Sequence, residues 1–368
     1  MRILEVAEGS RATGSSAAAL ASARALSARG HRVTWLCRKD SSLARDGRAA
    51  GLEVRGELRL TVPKLHAAGR LISELAADAD LVHVHRSKGH LAALMGVGFS
   101  GRSKPLVRTC HAGRPGETGA WARWLAARSE ALVVRSAALA FDLRHLSSPE
   151  GARLAVIPGG VDATGFGPAT DSSALRADLE LGDRLVIGTV SHLKSGRKLL
   201  DFCMAAEKLC RDKALDKSSF LILGRGRLSK SLADWIRKAG LNERVKVFAP
   251  KERFGEALAA LDVGVLLVPG SDGSGRAALE MAAMAKPLVL GDVGALADLA
   301  GIEGECARLV KPDSTDEIAA AISELALDRG LRENLGAAAR RRFEERHTLE
   351  RLGEHYENLF ESLLEPGA

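Results

Sequence analysis

Aromatic side chains make up only 4% of the 368 residues, and the chain has a single tyrosine. Single-strand nucleic-acid surfaces need aromatic stacking platforms. No recognition motif replaces them, so nucleic acid is not expected as a partner. Cysteine is also scarce: its copies at 37, 110, 203, 210 and 306 form no CxxC pair and leave one over. That argues against a disulfide scaffold and cysteine metal centres, and it predicts a reduced, cytoplasmic setting. No apolar run reaches membrane-spanning length. The opening MRILEVAEG is too short and too acidic for a secretory signal and reads as a first strand.

What is present is an alternation of strands and helices. Continuous apolar runs occur at 3–7, 32–37, 80–85, 105–110, 131–134 and 154–158. A second series follows at 185–190, 220–224, 245–249, 263–269, 287–292 and 307–310. Alanine- and arginine-rich helical stretches such as 15–29 and 64–77 lie between them. Continuous rather than alternating runs fit strands covered on both faces. They predict two doubly wound α/β domains, Rossmann-like, with ligands bound at the carboxyl ends of the parallel strands and a cleft between the domains. The expected boundaries are 1–165, 174–345 and a C-terminal helix over 346–368, with the Gly/Pro/Ser-rich 159–173 as linker. Charge is uneven: residues 1–168 carry 24 basic against 14 acidic groups, and the remainder is net acidic by 3. Such a basic half fits arginine-rich composition or attraction to an anionic surface.

The segment SDGSGRAALEMAAMAKPLVLGD, residues 271–292, is the most informative. Asp272 precedes Glu280 by eight positions, with Gly273, Ser274 and Gly275 at the start of a helix. Glycines before a helix N-terminus leave free N–H groups and a positive dipole end for an anion. Two carboxylates nearby could accept hydroxyl hydrogens, so the combination suits a nucleotide sugar. The same spacing also fits a tight strand–helix turn with a capping Asp. Elsewhere, His83 and His85 alternate on one strand but show no third ligand, so no metal is expected.

These motifs, in order, resemble the retaining glycosyltransferases of family 4, which have the GT-B fold. The family signature is an acidic residue, a glycine-rich turn, a glutamate eight positions on, then a small-residue helix and a G-x-P-V-V-like strand. AVIPGGVDATGFGP resembles the family's V-I-P-N-G-V-D-x-x-x-F-x-P, and GSSAAALASARALSARGHRVTWL its first glycine loop, helix and second strand. LVHVHRSKGHLAAL and PLVRTCHAGRPG resemble strand segments of sugar transferases in lipopolysaccharide assembly.

The resemblance implies that His111 faces the donor sugar, and that Gly14 and Ser15 lie near the donor phosphate and acceptor. It implies that Glu280 binds ribose hydroxyls and that Asp272, where the family usually has Glu, contacts the transferred sugar. The phosphate grip departs from the pattern. In SHLKSGRKL, His192 stands where Arg is expected and Arg197 where Lys is expected, with Lys198 adjacent. Arg197 offers a fork suited to phosphate oxygens. Gly224 and Arg225 of LILGRGR fall near the base or ribose, although a plain turn after a strand also accounts for them.

The expected reaction is metal-free transfer of a sugar, with retention, from a nucleoside diphosphate sugar to a glycan or lipid-linked acceptor. The catalytic set would be His111, Asp272 and Arg197. No cofactor is expected, and peripheral contact with an anionic membrane at its inner face follows from the resemblance. A sugar-nucleotide epimerase and a silent nucleotide-sugar-binding subunit are the alternatives. The amphipathic stretch 339–364 is expected to brace the first domain, with Tyr356 and Phe360 in its core.

Overall fold

The computed structural model describes residues 1–365 apart from 9–13, 59, 62–63, 100–103, 112–118, 147–151, 194–197, 251, 270–272 and 274. Two compact units emerge. Unit 1 takes Met1–Gly160 and the stretch from Thr348 onward; unit 2 takes Val161–Gly270 and Gly275–His347.

In unit 1 the chain runs β1 (Arg2–Val6), α1 (Gly14–Ala28), β2 (Arg32–Leu36), α2 (Ser42–Ala49), β3 (Glu53–Arg55), α3 (Leu65–Ala76) and β4 (Leu81–Val84). It continues through α4 (Ser87–Phe99), β5 (Leu106–Thr109), α5 (Ala120–Ala126), β6 (Ala131–Val134), α6 (Ala137–Leu143) and β7 (Arg153–Val156). The strands form one parallel sheet in the order β3-β2-β1-β4-β5-β6-β7. Winding reverses between β1 and β4, which makes the carboxyl ends of those strands the switch point where open sheets bind ligands.

Successive residues enter different cores. Ile3, Val33, Trp35 and Leu81 join one cluster with α1, while Leu4, Leu36, Val82 and Val84 join another with α3 and α4. Both faces are therefore covered, as the continuous apolar runs require. β3 escapes the sequence pattern because it is a three-residue edge strand with no fully buried residue.

Unit 2 runs α7 (Ser173–Asp178), β8 (Leu185–Val190), α8 (Leu199–Cys210), β9 (Ser218–Leu223), α9 (Ser229–Lys238), β10 (Val245–Phe248), α10 (Phe254–Ala259) and β11 (Val263–Leu266). Then follow α11 (Arg276–Ala283), β12 (Leu288–Gly291), α12 (Ala295–Ala300), β13 (Arg308–Val310), α13 (Thr315–Leu327) and α14 (Arg329–Arg346). Its parallel sheet has the order β10-β9-β8-β11-β12-β13, with the reversal between β8 and β11. Phe220 and Ile222 face one core, Leu221 and Leu223 the other.

The amphipathic stretch 339–364 is divided between two helices. α14 ends at Arg346, and α15 (Leu349–Leu364) starts at Thr348, whose side chain accepts from the Arg351 N–H at 3.2 Å. α15 lies against α1 in unit 1, where Leu352, Tyr356, Leu359 and Phe360 are buried in the α1 core. Arg29, just beyond the end of α1, bonds Glu357 of α15. None of the five cysteines is in a disulfide. Among the described residues no helix is long and apolar enough to cross a membrane.

Candidate functional site

In unit 2, α11 follows β11 in the chain and starts directly after Gly275. Gly275 has φ +66, a left-handed conformation that favours glycine at this helix start. Among the described residues no side chain caps it. One turn into α11, Glu280 is 2% exposed and accepts from Arg276 Nε at 2.7 Å. A carboxylate so buried is stable when partnered by a cation. Gly273 is buried with φ +72. Asp272 and Ser274 lie outside the described residues.

In the same unit, β8 is followed by Ser191, His192 and Leu193, and β9 by Gly224–Leu228. A Cβ on Gly224 would sit 1.8 Å from the Ser191 carbonyl oxygen, at φ +156. Leu193 N–H donates to Arg225 O at 3.2 Å and Leu228 N–H to Leu193 O at 3.0 Å. The glycine of LILGRGR thus serves a close approach between two loops, which the sequence alone read as a turn or a ligand contact. His192 and Arg225 are exposed. Lys198, half-buried, starts α8 at φ +53 without a side-chain cap. Arg197, the expected phosphate cation, lies outside the described residues.

Unit 1 assembles a different site at its β1/β4 switch point. Glu5 of β1 is paired in register with His83 of β4, and both are wholly buried. Glu5 Oε1 lies 2.9 Å from His83 Nδ1 and Oε2 lies 2.8 Å from His85 Nε2. His83 Nε2 meets Thr109 Oγ1 at 2.8 Å, and Thr109 Oγ1 meets Tyr356 Oη at 2.8 Å. The His111 ring stacks on His85 with centroids 5.6 Å apart and planes at 23°. Burial pushes the Glu5 carboxyl up, but the charges and hydrogen bonds of His83 and His85 outweigh it and hold it at about 2. Burial, then the neighbouring His83, lowers His85 to about 4 against the pull of Glu5. At neutral pH Glu5 is therefore ionised and can only accept, so neutral His85 carries its proton on Nε2. Ser15, at the start of α1, accepts from Arg86 at 2.7 Å; Gly14 precedes it, half-buried.

One outcome was not legible in the sequence. Glu5 supplies the third group that the His83/His85 pair lacked: the three offer ligand atoms within 4.8 Å of one another. Their separations are those of hydrogen bonds. The signal was a carboxylate in the middle of an apolar strand. The expectation that the chain has no Asp-x-Asp pair is corrected by the sequence itself: Asp78 and Asp80 form one just before β4, at the opposite end of the strand from the site. There Asp80 accepts from the Arg2 N–H at 2.7 Å.

Two parallel, doubly wound units, one with a glycine-led helix and a buried glutamate at its switch point, define the GT-B class of glycosyltransferases. The chain belongs to glycosyltransferase family 4. The family model described as Glycosyltransferase Family 4 matches residues 12–164, and that of Glycosyl transferases group 1 matches 184–328. A D-inositol 3-phosphate glycosyltransferase of Nocardia farcinica is 30% identical over 318 residues, covering 77% of this chain and 67% of that protein. The protein of the same name from Kineococcus radiotolerans is 32% identical over 233 residues, 58% of this chain and 53% of that one. The matches thus span between about half and two thirds of these relatives. Among solved structures, Anabaena Alr3699/HepE in complex with UDP and glucose superposes with a TM-score of 0.82 at 18% identity, covering 98% of this chain and 100% of that one.

Proposed function

We propose that the protein transfers a sugar from a nucleoside diphosphate sugar to a hydroxyl, unit 2 holding the donor and unit 1 the acceptor. The observation that carries this reading is Glu280, nearly sealed from solvent yet one turn beyond a glycine-led helix start at the β8/β11 switch point. Its carboxylate accepts ribose hydroxyls, while the N-terminal amides of α11 face the diphosphate. As the glycosidic bond breaks, negative charge grows on that diphosphate, and Arg197, Lys198 and the N–H groups stabilise it most at that moment. Asp272 and His111 contact the transferred sugar; His192, Gly224 and Arg225 border the nucleotide; Gly14 and Ser15 border the acceptor. The hydroxyl attacks on the face from which the diphosphate leaves, so configuration is retained, and no divalent cation takes part.

The relatives' names point to a phosphate-bearing cyclitol acceptor. The basic unit 1 favours an anionic acceptor of this kind, or a lipid-linked glycan at an anionic membrane face, as in lipopolysaccharide assembly. A thermal-shift panel of UDP-, GDP- and ADP-sugars identifies the donor, since native-state binding raises Tm. Transfer to D-inositol 3-phosphate and to lipid-linked glycans, with and without EDTA, then identifies the acceptor. A donor converted without glycosylated product would instead mark an epimerase, and binding without nucleotide release a silent subunit. Glu280→Ala should weaken donor binding by about 1–3 kcal/mol, whereas Asp272→Ala should lower turnover more than binding. Equal losses of nucleotide affinity in both would refute that division of roles.

A further inference from the structure

We infer that Glu5 is a positioning residue for His111, acting through two arms that meet at the carboxyl end of β5. This rests on the reading that His111 faces the donor sugar. One arm runs from Glu5 Oε2 to His85, at 2.8 Å, and on to the stacked ring of His111. The other runs from Glu5 Oε1 to His83, at 2.9 Å, then to Thr109, at 2.8 Å. Thr109 is the last residue of β5, two before His111. One carboxylate thereby fixes both the ring and the strand end that carries it, and Tyr356 anchors Thr109 from α15.

Every link of this network is buried: Glu5, His83, Thr109 and Tyr356 are 0% exposed, His111 2% and His85 3%. A buried ionic hub of this kind does not out-stabilise apolar residues of equal volume. Its worth lies in fixing geometry. Because the ionised carboxylate only accepts, it also sets His85 in one tautomer and presents an uncharged ring face to His111.

The test is a double-mutant cycle on the full chain. Glu5→Gln keeps the shape but puts an NH₂ where one arm needs an acceptor. We expect kcat to fall at least tenfold with donor Kd close to wild type, and Tm to fall because the buried histidines lose their ionised partner. In a His111→Ala background, Glu5→Gln should cost little further, because its effect runs through the missing ring. Glu5→Met, an apolar filler, guards against misfolding of the Gln variant and should show the same loss of kcat. Wild-type kcat in a folded Glu5 variant, or additive losses in the double mutant, would overturn the inference. An active His111→Ala would overturn it together with the site assignment beneath it. Long-range ¹⁵N imidazole spectra give an arm independent of activity: His85 protonated on Nε2 in wild type, and His111 resonances displaced in Glu5→Gln. Unchanged His111 resonances would overturn the inference even with no sugar donor identified.

Discussion

The two sheets reverse their winding at equivalent places but furnish those places with opposite materials. At β1/β4 the switch point is built from side chains, a carboxylate with histidines and a threonine locked in a buried network. Around β8 and β11 it is built from backbone: Gly224 lets the segments after β9 and β8 approach where no Cβ fits, and Gly275 starts α11 at φ +66. An anionic diphosphate is well served by bare N–H groups, while a hydroxyl-bearing acceptor and a sugar ring need directional partners. The contrast matches the proposed division between donor unit and acceptor unit, and it can be broken from either side.

The largest expected effect is at the backbone-built point. Gly224→Val places a branched side chain against the Ser191 carbonyl at a φ that such residues rarely adopt. It should cost upwards of about 4 kcal/mol and abolish donor binding, measured by urea denaturation and nucleotide thermal shift. Near-normal stability would show that the two loops can part freely.

Next comes the developing charge. Arg197→Ala should lower kcat by well over tenfold, roughly the loss seen when one oxyanion donor is removed. His192→Arg, which restores the family's usual cation, should preserve or raise activity. A folded His192→Arg protein without activity would mean that the site is built around imidazole.

The side-chain-built point should show itself in pH. His85 is held at about 4, and His90, buried beside Ser129, at about 3, both below the ordinary 6.5. Around His85 stand Glu5, His83, His111 and Arg135. Because the unfolded chain binds these protons first, stability present at neutral pH is lost as pH falls from 6.5 toward 4. His85 alone accounts for about 3 kcal/mol of that loss. Glu5, depressed to about 2, adds to the loss below pH 4.5. A Tm flat between pH 7 and 4.5 would contradict buried, neutral histidines.

The smallest effect concerns the surface. The excess of ten positive charges over residues 1–168 should draw the protein to anionic vesicles by about 1 kcal/mol per basic residue at the surface, and high salt should release it. Equal co-sedimentation with neutral and anionic vesicles would reduce that excess to composition alone.

The strands were legible because burial on both faces writes continuous apolar runs. β3 was not, since an edge strand of Glu53, Val54 and Arg55 needs no such run. Glu280 and the glycine turn were legible because the helix start demands fixed spacing in sequence. Glu5 was not: its partners are 78 and 80 residues away, and only strand pairing brings them together.

The placement of α15 has a consequence for how the chain is made. Leu352, Tyr356, Leu359 and Phe360 complete a core whose other buried members precede residue 161. At a synthesis rate of roughly 5–20 residues per second, the face of α1 that will be covered waits on the order of 10–40 seconds while unit 2 is translated. Unit 1 is thus the first to emerge and the last to close, and during that interval its uncovered apolar surface is open to chaperones, proteases and mispairing.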